Sequence, residues 1–127
     1  MPSYVFDSSA VLAILLRERG DVYASQRLTD ALVSAVNLVE VITKLIDLGT
    51  TASDIDEVLT KLSLKIVDFN ETQAFYAGLL RAETRTKGLS LGDRACLALA
   101  HATDRIVLTA DRAWADLDVG VTIELIR

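Results

Sequence analysis

The sequence predicts an α/β fold, a three-layer α/β/α sandwich around a central parallel sheet, and three observations predict it. Short strand-like runs alternate with helix-like segments from end to end, the order that builds parallel sheets. The short runs are continuously apolar rather than alternating, as strands covered on both faces are. The single proline is Pro2, so glycines rather than prolines punctuate the elements.

Taken in order, Tyr4–Phe6 is a first strand. A helix follows from Ser8 to Arg19, with Gly20 as its C-terminal stop. A more polar helix runs from Asp21 to about Asp30. "LVSAV" (Leu32–Val36) is a short buried strand. "NLVEVITKLIDLG" (Asn37–Gly49) is an amphipathic helix in which Val41, Leu45 and Leu48 recur at three and four residues. Ser53 opens the next helix, with Asp56 as its capping partner and Val58, Leu59 and Leu62 as its inner face. "LKIVDF" (Leu64–Phe69) is a third strand. Asn70 opens a long helix that ends near Gly88, and Ser90 starts a further one, "SLGDRACLALAHATD". "RIVLT" (Arg105–Thr109) is the fourth strand. A short helix around Trp114 leads to the fifth, "VTIELI" (Val121–Ile126).

The 127 residues suit one compact domain spanning residues 1–127. Apolar residues make up 51% of them, enough for a core with surplus outside. That surplus is expected on the helices after strands one and two, covered by a second copy or in a partner's groove. The net charge of −5 is opposite to that of a generic nucleic-acid binder, so nucleic-acid contact requires local cations or a metal that reverses the sign of an acidic site. Cys96 is the only cysteine and His101 the only histidine. Intrachain disulfides are excluded. Cys/His zinc sites and Ser–His–Asp or Cys–His catalysis need more of these residues than exist. Both residues read as packing groups on the Ala-rich helix. One cysteine fits a reducing cytoplasm, Ala10–Leu16 is too short to span a membrane, and Asp7 stands where a signal peptide would be apolar. A cytoplasmic protein without a membrane segment is the expectation.

Ligands of open parallel sheets bind outside the carboxyl ends of the strands, and acids collect there. Asp7 follows strand one, Glu40 lies in the helix after strand two, and Asp111 stands just beyond strand four. Asp93 lies in the first turn of the Ser90 helix, and its place at the same edge depends on a count of chain reversals that the sequence leaves open. Each acid has a local explanation: Asp7 and Asp111 as helix caps, Asn37/Glu40 and Ser90/Asp93 as capping boxes. A cap contributes about 1 kcal/mol or less, whereas two like charges about 4 Å apart repel by roughly 4 kcal/mol at an effective dielectric near 20. Four acids that converge therefore need a counter-charge. With oxygen ligands only, Mg²⁺ or Mn²⁺ suits them, with Ser9 and Thr109 as hydroxyl contacts or supports.

At these residues the sequence resembles the PIN-domain ribonucleases, and within them the VapC-type toxins of toxin–antitoxin pairs. The matching pieces are "DSSA" (Asp7–Ala10) after an apolar strand, "NLVEV" (Asn37–Val41), "LSLGDRACLALA" (Leu89–Ala100) and "VLTADRAW" (Val107–Trp114), in family order across nearly the whole chain. The resemblance implies a PIN-like α/β/α fold and a Mg²⁺- or Mn²⁺-dependent endoribonuclease site. Asp7, Glu40, Asp93 and Asp111 match its catalytic and metal-binding acids, with Ser9 and Thr109 as supporting hydroxyls. It further implies a structured RNA substrate such as tRNA or rRNA, a homodimer, a cognate VapB-type antitoxin, and DNA contact only through that antitoxin. Asp116 and Asp118 both stand where family members carry a further acid or Asn, and they read more simply as solvated loop residues. Arg94 and Arg112 adjoin acids, and Arg17, Arg81 and Arg85 are candidates for an RNA path, though each alone reads as a solvated helix residue. Two alternatives stand beside this reading. A Mg²⁺-dependent phosphatase or receiver-like domain also sets acids at strand ends, but Ser9 replaces the second Asp of a haloacid-dehalogenase phosphatase and "VTIELIR" lacks a receiver's Lys. A PIN-fold binding module would keep the fold without the chemistry.

Overall fold

A computed structural model describes residues 2–127. Five strands form one sheet: β1 (Tyr4–Phe6), β2 (Leu32–Ser34), β3 (Lys65–Val67), β4 (Ile106–Thr109) and β5 (Ile123–Leu125). Their order is β3-β2-β1-β4-β5 and every pairing is parallel. The α-helices are α1 (Ser8–Leu15), α2 (Asp21–Ser25), α3 (Ala35–Asp47), α4 (Ala52–Leu62), α5 (Glu71–Thr84) and α6 (Leu91–Thr103). Helices cover both faces, so the expected three-layer sandwich is present.

The continuous apolar runs are explained by two cores. In β1, Tyr4 and Phe6 point into one core while Val5 points into the other; in β4, Leu108 and Val107 divide the same way. The first core joins Phe6, Val11, Val33, Val41 and Ile55 under α1, α3 and α4. The second joins Val5, Leu97, Leu99, Val107 and Trp114 under α6. A strand sandwiched this way cannot spare a polar face.

Several boundaries differ from the sequence expectation. The first helix stops at Leu15, with Arg17 in the left-handed region (φ 53°). Gly20 (φ 94°) precedes α2 rather than ending α1, and a Cβ there would stand 2.7 Å from the Ile126 carbonyl oxygen. The second helix ends at Ser25 and not near Asp30. Strand two ends at Ser34, whose hydroxyl accepts from Val36 N and starts α3 two residues early. Asn37 is therefore inside that helix and no Asn37/Glu40 capping box exists. Thr51, not Ser53, caps α4, accepting from Asp54 N at 3.2 Å. The long helix ends at Thr84 and continues as a 3₁₀ turn, Arg85–Lys87, and the segment at Trp114 is a 3₁₀ turn as well.

The apolar surplus is also redistributed. Val39, Ile46 and Leu48 are exposed at α3, but α1 carries no large exposed apolar side chain; Phe75 (71%) and Leu79 (60%) on α5 are exposed instead. Cys96 is buried as expected. His101 is exposed and stacks on Tyr76 with centroids 4.1 Å apart, so it packs on the surface and not in the core.

The open count of reversals is resolved by α5 and α6. Tyr76 meets His101 and the Arg94 guanidinium donates to the Ala77 carbonyl at 3.0 Å. The two helices therefore form an antiparallel hairpin whose far end is the Ser90 turn. Since α6 leads straight into β4, its N-terminus with Asp93 lies at the carboxyl edge of the sheet.

The tight seat of Gly20 is testable. Gly20→Ala combines a left-handed φ with a clash against the end of β5. It should destabilise the fold by more than about 1 kcal/mol, read as a lower urea midpoint at unchanged slope.

Candidate active site

The four acids predicted from the sequence stand at this edge, each held by its own set of donors. Asp7 follows β1 and caps α1; it is 4% exposed. Its Oδ1 accepts from Ala10 N (2.9 Å) and from the Ser9 hydroxyl (2.7 Å). Its Oδ2 accepts from the Thr109 hydroxyl at 2.5 Å. Thr109 ends β4, beside β1 in the sheet, and in turn accepts from Asp111 N (3.0 Å). Ser9 accepts from Ala110 N (2.9 Å). Ser9 and Thr109 thus tie the ends of the two central strands together through the Asp7 carboxylate.

Glu40 lies in the second turn of α3. Its Oε1 accepts from the Ser8 hydroxyl and from Asn37 Nδ2, both at 2.9 Å. Asn37 Nδ2 also donates to the Gly92 carbonyl at 3.1 Å, linking α3 to α6. Asp93 forms the expected capping box: the Ser90 hydroxyl accepts from Asp93 N and Asp93 Oδ2 accepts from Ser90 N. Asp111 caps the 3₁₀ turn Arg112–Trp114, accepting from Ala113 N at 3.0 Å.

The charged and aromatic side chains around the acids have partners of their own. Arg112 donates to the Arg127 carbonyl (3.1 Å) and Arg94 to Ala77, so neither guanidinium pairs with an acid of the site. Asp116 pairs with Lys87 at 3.2 Å. Trp114 is core, and Tyr23 is held by Glu124 and Arg27. In the sequence Asn37 pairs with Glu40 only as a capping box, and Ser8 and Gly92 carry no role at the site. Ser8 and Asn37 look like ordinary first-turn helix residues there. Only a glycine inside the first turn of a helix was a usable signal.

The PIN domain model matches residues 4–120. The chain belongs to the PIN domain family. Solved structures share the PIN fold over almost their whole length. A chain of VapBC2 from Rickettsia felis, bound to a DNA fragment from the promoter, is 19% identical with a TM-score of 0.75, covering 97% of this chain and 98% of that one. DNA-bound VapBC from Salmonella typhimurium gives 21% identity, a TM-score of 0.70 and complete coverage of both chains. Mycobacterium tuberculosis VapC20, a sarcin–ricin loop cleaving toxin, gives 15% and 0.72, covering 94% and 98%. No curated protein matches by sequence.

In this PIN domain the acids repel one another. Burial pushes the Asp7 carboxyl up to about 6, against the lowering effect of Thr109, Ser9 and Ala10, and the charge of Asp93 pushes it further. Asp93 is raised too, first by burial, then by Glu40 and Asp111. The buried Cys96 thiol, raised well above its ordinary value chiefly by desolvation, feels Asp7, Asp93 and Glu40. Among the described residues no Lys, Arg or His forms an ion pair with any of the four acids. An all-oxygen set with mutual repulsion and no protein counter-ion fits a hard divalent cation. Among the described residues, however, no three acidic, His or Cys side chains converge as a ready ion-holding group. Asp93 and Asp111 each place one carboxylate oxygen on a nearby backbone amide, Asp93 Oδ2 on Ser90 N and Asp111 Oδ1 on Ala113 N, which leaves the other oxygen of each without a hydrogen bond among the described residues.

The raised Asp7 fixes the sign of a pH effect. Between about pH 4 and 6 the folded chain holds a proton that the unfolded chain has released, so metal-free stability falls as pH rises through that window. The fall is up to about 3 kcal/mol, at 1.36 kcal/mol per pKa unit. Asp7→Asn keeps an oxygen for Ala10 and Ser9 and has no charge to desolvate. In EDTA it should flatten this slope and melt above wild type at pH 7.5, as read by thermal denaturation across pH.

Proposed function

We propose that this PIN domain is the endoribonuclease toxin of a type II toxin–antitoxin pair, acting on structured RNA such as tRNA or rRNA in the cytoplasm as a homodimer. The observation that carries the proposal is the set of four carboxylates at one sheet edge, none of them ion-paired to a Lys, Arg or His among the described residues. Family membership supports a nuclease over the phosphatase and receiver alternatives. The toxin assignment is supported by the similarity to VapBC complexes and to a toxin that cleaves the sarcin–ricin loop. A VapB-type antitoxin is the proposed partner, with DNA reached only through it. Among the described residues no helix is long and apolar enough to cross a membrane.

Asp7, Glu40, Asp93 and Asp111 would hold Mg²⁺ or Mn²⁺. When bound, such an ion lowers the pKa of a coordinated water and offsets charge on the phosphodiester. The chain's own residues prepare for this. Ser9 and Thr109 fix the Asp7 carboxylate, and Ser8 and Asn37 fix Glu40. No histidine takes part, since His101 stacks on Tyr76 at the opposite end of α6. The four negative charges repel an RNA backbone until they are neutralised, which makes cleavage dependent on added cation.

The test is a cleavage assay on tRNA and on rRNA hairpins with Mg²⁺ or Mn²⁺. Wild type should cleave at defined positions and EDTA should stop it. Asp93→Asn should lower the rate by at least about 100-fold, the loss typical when a charge-stabilising group is removed. Full activity in Asp93→Asn would refute the four-acid site. Co-purification with a small DNA-binding protein encoded beside it would support the toxin assignment.

A further inference from the structure

The Glu40 carboxylate lies directly against the backbone of α6 at Gly92. A Cβ built on Gly92 would meet Glu40 Oε2 at 2.2 Å and both Cδ and Oε1 at 2.4 Å, far inside any real contact. Gly92 is buried within the first turn of α6 and is not among the residues with positive φ. Its backbone therefore does not call for glycine, and alanine would serve the helix better. What glycine provides is space, and a carboxylate fills it. Around that carboxylate, the fully buried Asn37 spans from Glu40 Oε1 (2.9 Å) to the Gly92 carbonyl (3.1 Å), and Ser8 adds a second donor to Oε1 (2.9 Å). Both donors reach the same oxygen. Oε2 has no hydrogen bond among the described residues.

We propose that Gly92 is a positioning residue: the missing side chain leaves a notch in α6 that seats the Glu40 carboxylate, while Asn37 and Ser8 clamp its Oε1 and leave Oε2 free to bind. The inference rests on the assignment of Glu40 to the cleavage site proposed above. It assigns Gly92 a task that depends on the carboxylate it faces, not on helix packing. A side chain at 92 displaces Glu40, and a shorter acid at 40 relieves the crowding.

The experiment is a double-mutant cycle read in EDTA without RNA, followed by cleavage assays. Gly92→Ala should lower the melting temperature when Glu40 is present. In the Glu40→Ala background the same change should be neutral or raise it, because the notch is then empty and alanine favours the helix. The Asn37 side-chain amide resonances should move in Gly92→Ala and in Glu40→Ala and stay in place in the exposed control Leu91→Ala. In the cleavage assay Gly92→Ala should lose at least about 10-fold, and Gly92→Ala/Glu40→Asp should recover part of that loss. Equal destabilisation by Gly92→Ala in both backgrounds, or an unmoved Asn37 amide, would overturn the proposal. A wild type that cleaves no RNA would instead remove the ribonuclease assignment, while the melting cycle and the amide shifts would still decide whether the notch exists.

Discussion

A carboxylate buried at the end of the central strand has to be compensated, and the bonds that compensate Asp7 organise the rest of the edge. Isolated burial of an ionised group is costly. Here two hydroxyls and one amide offset part of that cost: Thr109 on one oxygen, Ser9 and Ala10 on the other. They do not cancel it, because desolvation still dominates the raised pKa. The same two hydroxyls receive the amides of Ala110 and Asp111. The turn after β4 is thereby fixed by the group that solvates Asp7, and Asp111 follows from that turn. The apolar residues of β1 and α1 bury the strand end, so that Asp7 and Thr109 lie out of solvent at the base of this network.

Local capping explains three of the acids singly, leaves Glu40 unexplained and fails for the set. Asp7, Asp93 and Asp111 do cap helices or turns, and each cap is worth about 1 kcal/mol. Yet burial and the neighbouring acids raise Asp7 and Asp93 in the direction that disfavours their charged forms. Capping alone would be served better by Ser or Asn at these places, without the repulsion. Acids stand here although burial and their neighbours disfavour their charge, which is the pattern of sites whose chemistry needs the charge.

Most of the fold was legible because buried parallel strands leave a strong apolar signature and because alternation with helices leaves few topologies. Strand and helix ends were less legible. Ala35 and Val36 are apolar in either state, so the sequence could not show that the Ser34 hydroxyl starts α3 before Asn37. Asp7 and Asp111 were legible because each directly follows a strand. Asp93 required a reversal made by α5 and α6, a tertiary fact carried by contacts such as Tyr76 on His101. Ser8 was invisible as a partner of Glu40 for the same reason, since it reaches Glu40 across helices, whereas Asn37 stands three residues before Glu40 in α3 and its spacing reads as a capping box instead. The exposed Phe75 and Leu79 on α5 were missed because the helix also carries buried Leu80 and Ala77, and sequence alone does not say which stripe faces inward.

The four acids are not equivalent, and the difference bears on how the edge would bind a cation. Asp7 and Glu40 are held by side chains from outside their own capping turn: Thr109 for one, Ser8 for the other. Their positions are set by the packing of α1, α3 and β4 and exist before anything binds. Asp93 and Asp111 are held only by amides two or three residues away. Each cap engages only one carboxylate oxygen, so the other is open toward the edge with the cap in place. The first pair is held by tertiary packing and the second by local caps alone. Loss of Asp93 or Asp111 also leaves the fold intact, because neither is tied to a second element. Loss of the Thr109 hydroxyl acts in the opposite sense. It strips Asp7 of a donor and frees the Asp111 amide at once, so one small side chain in β4 governs both kinds of acid.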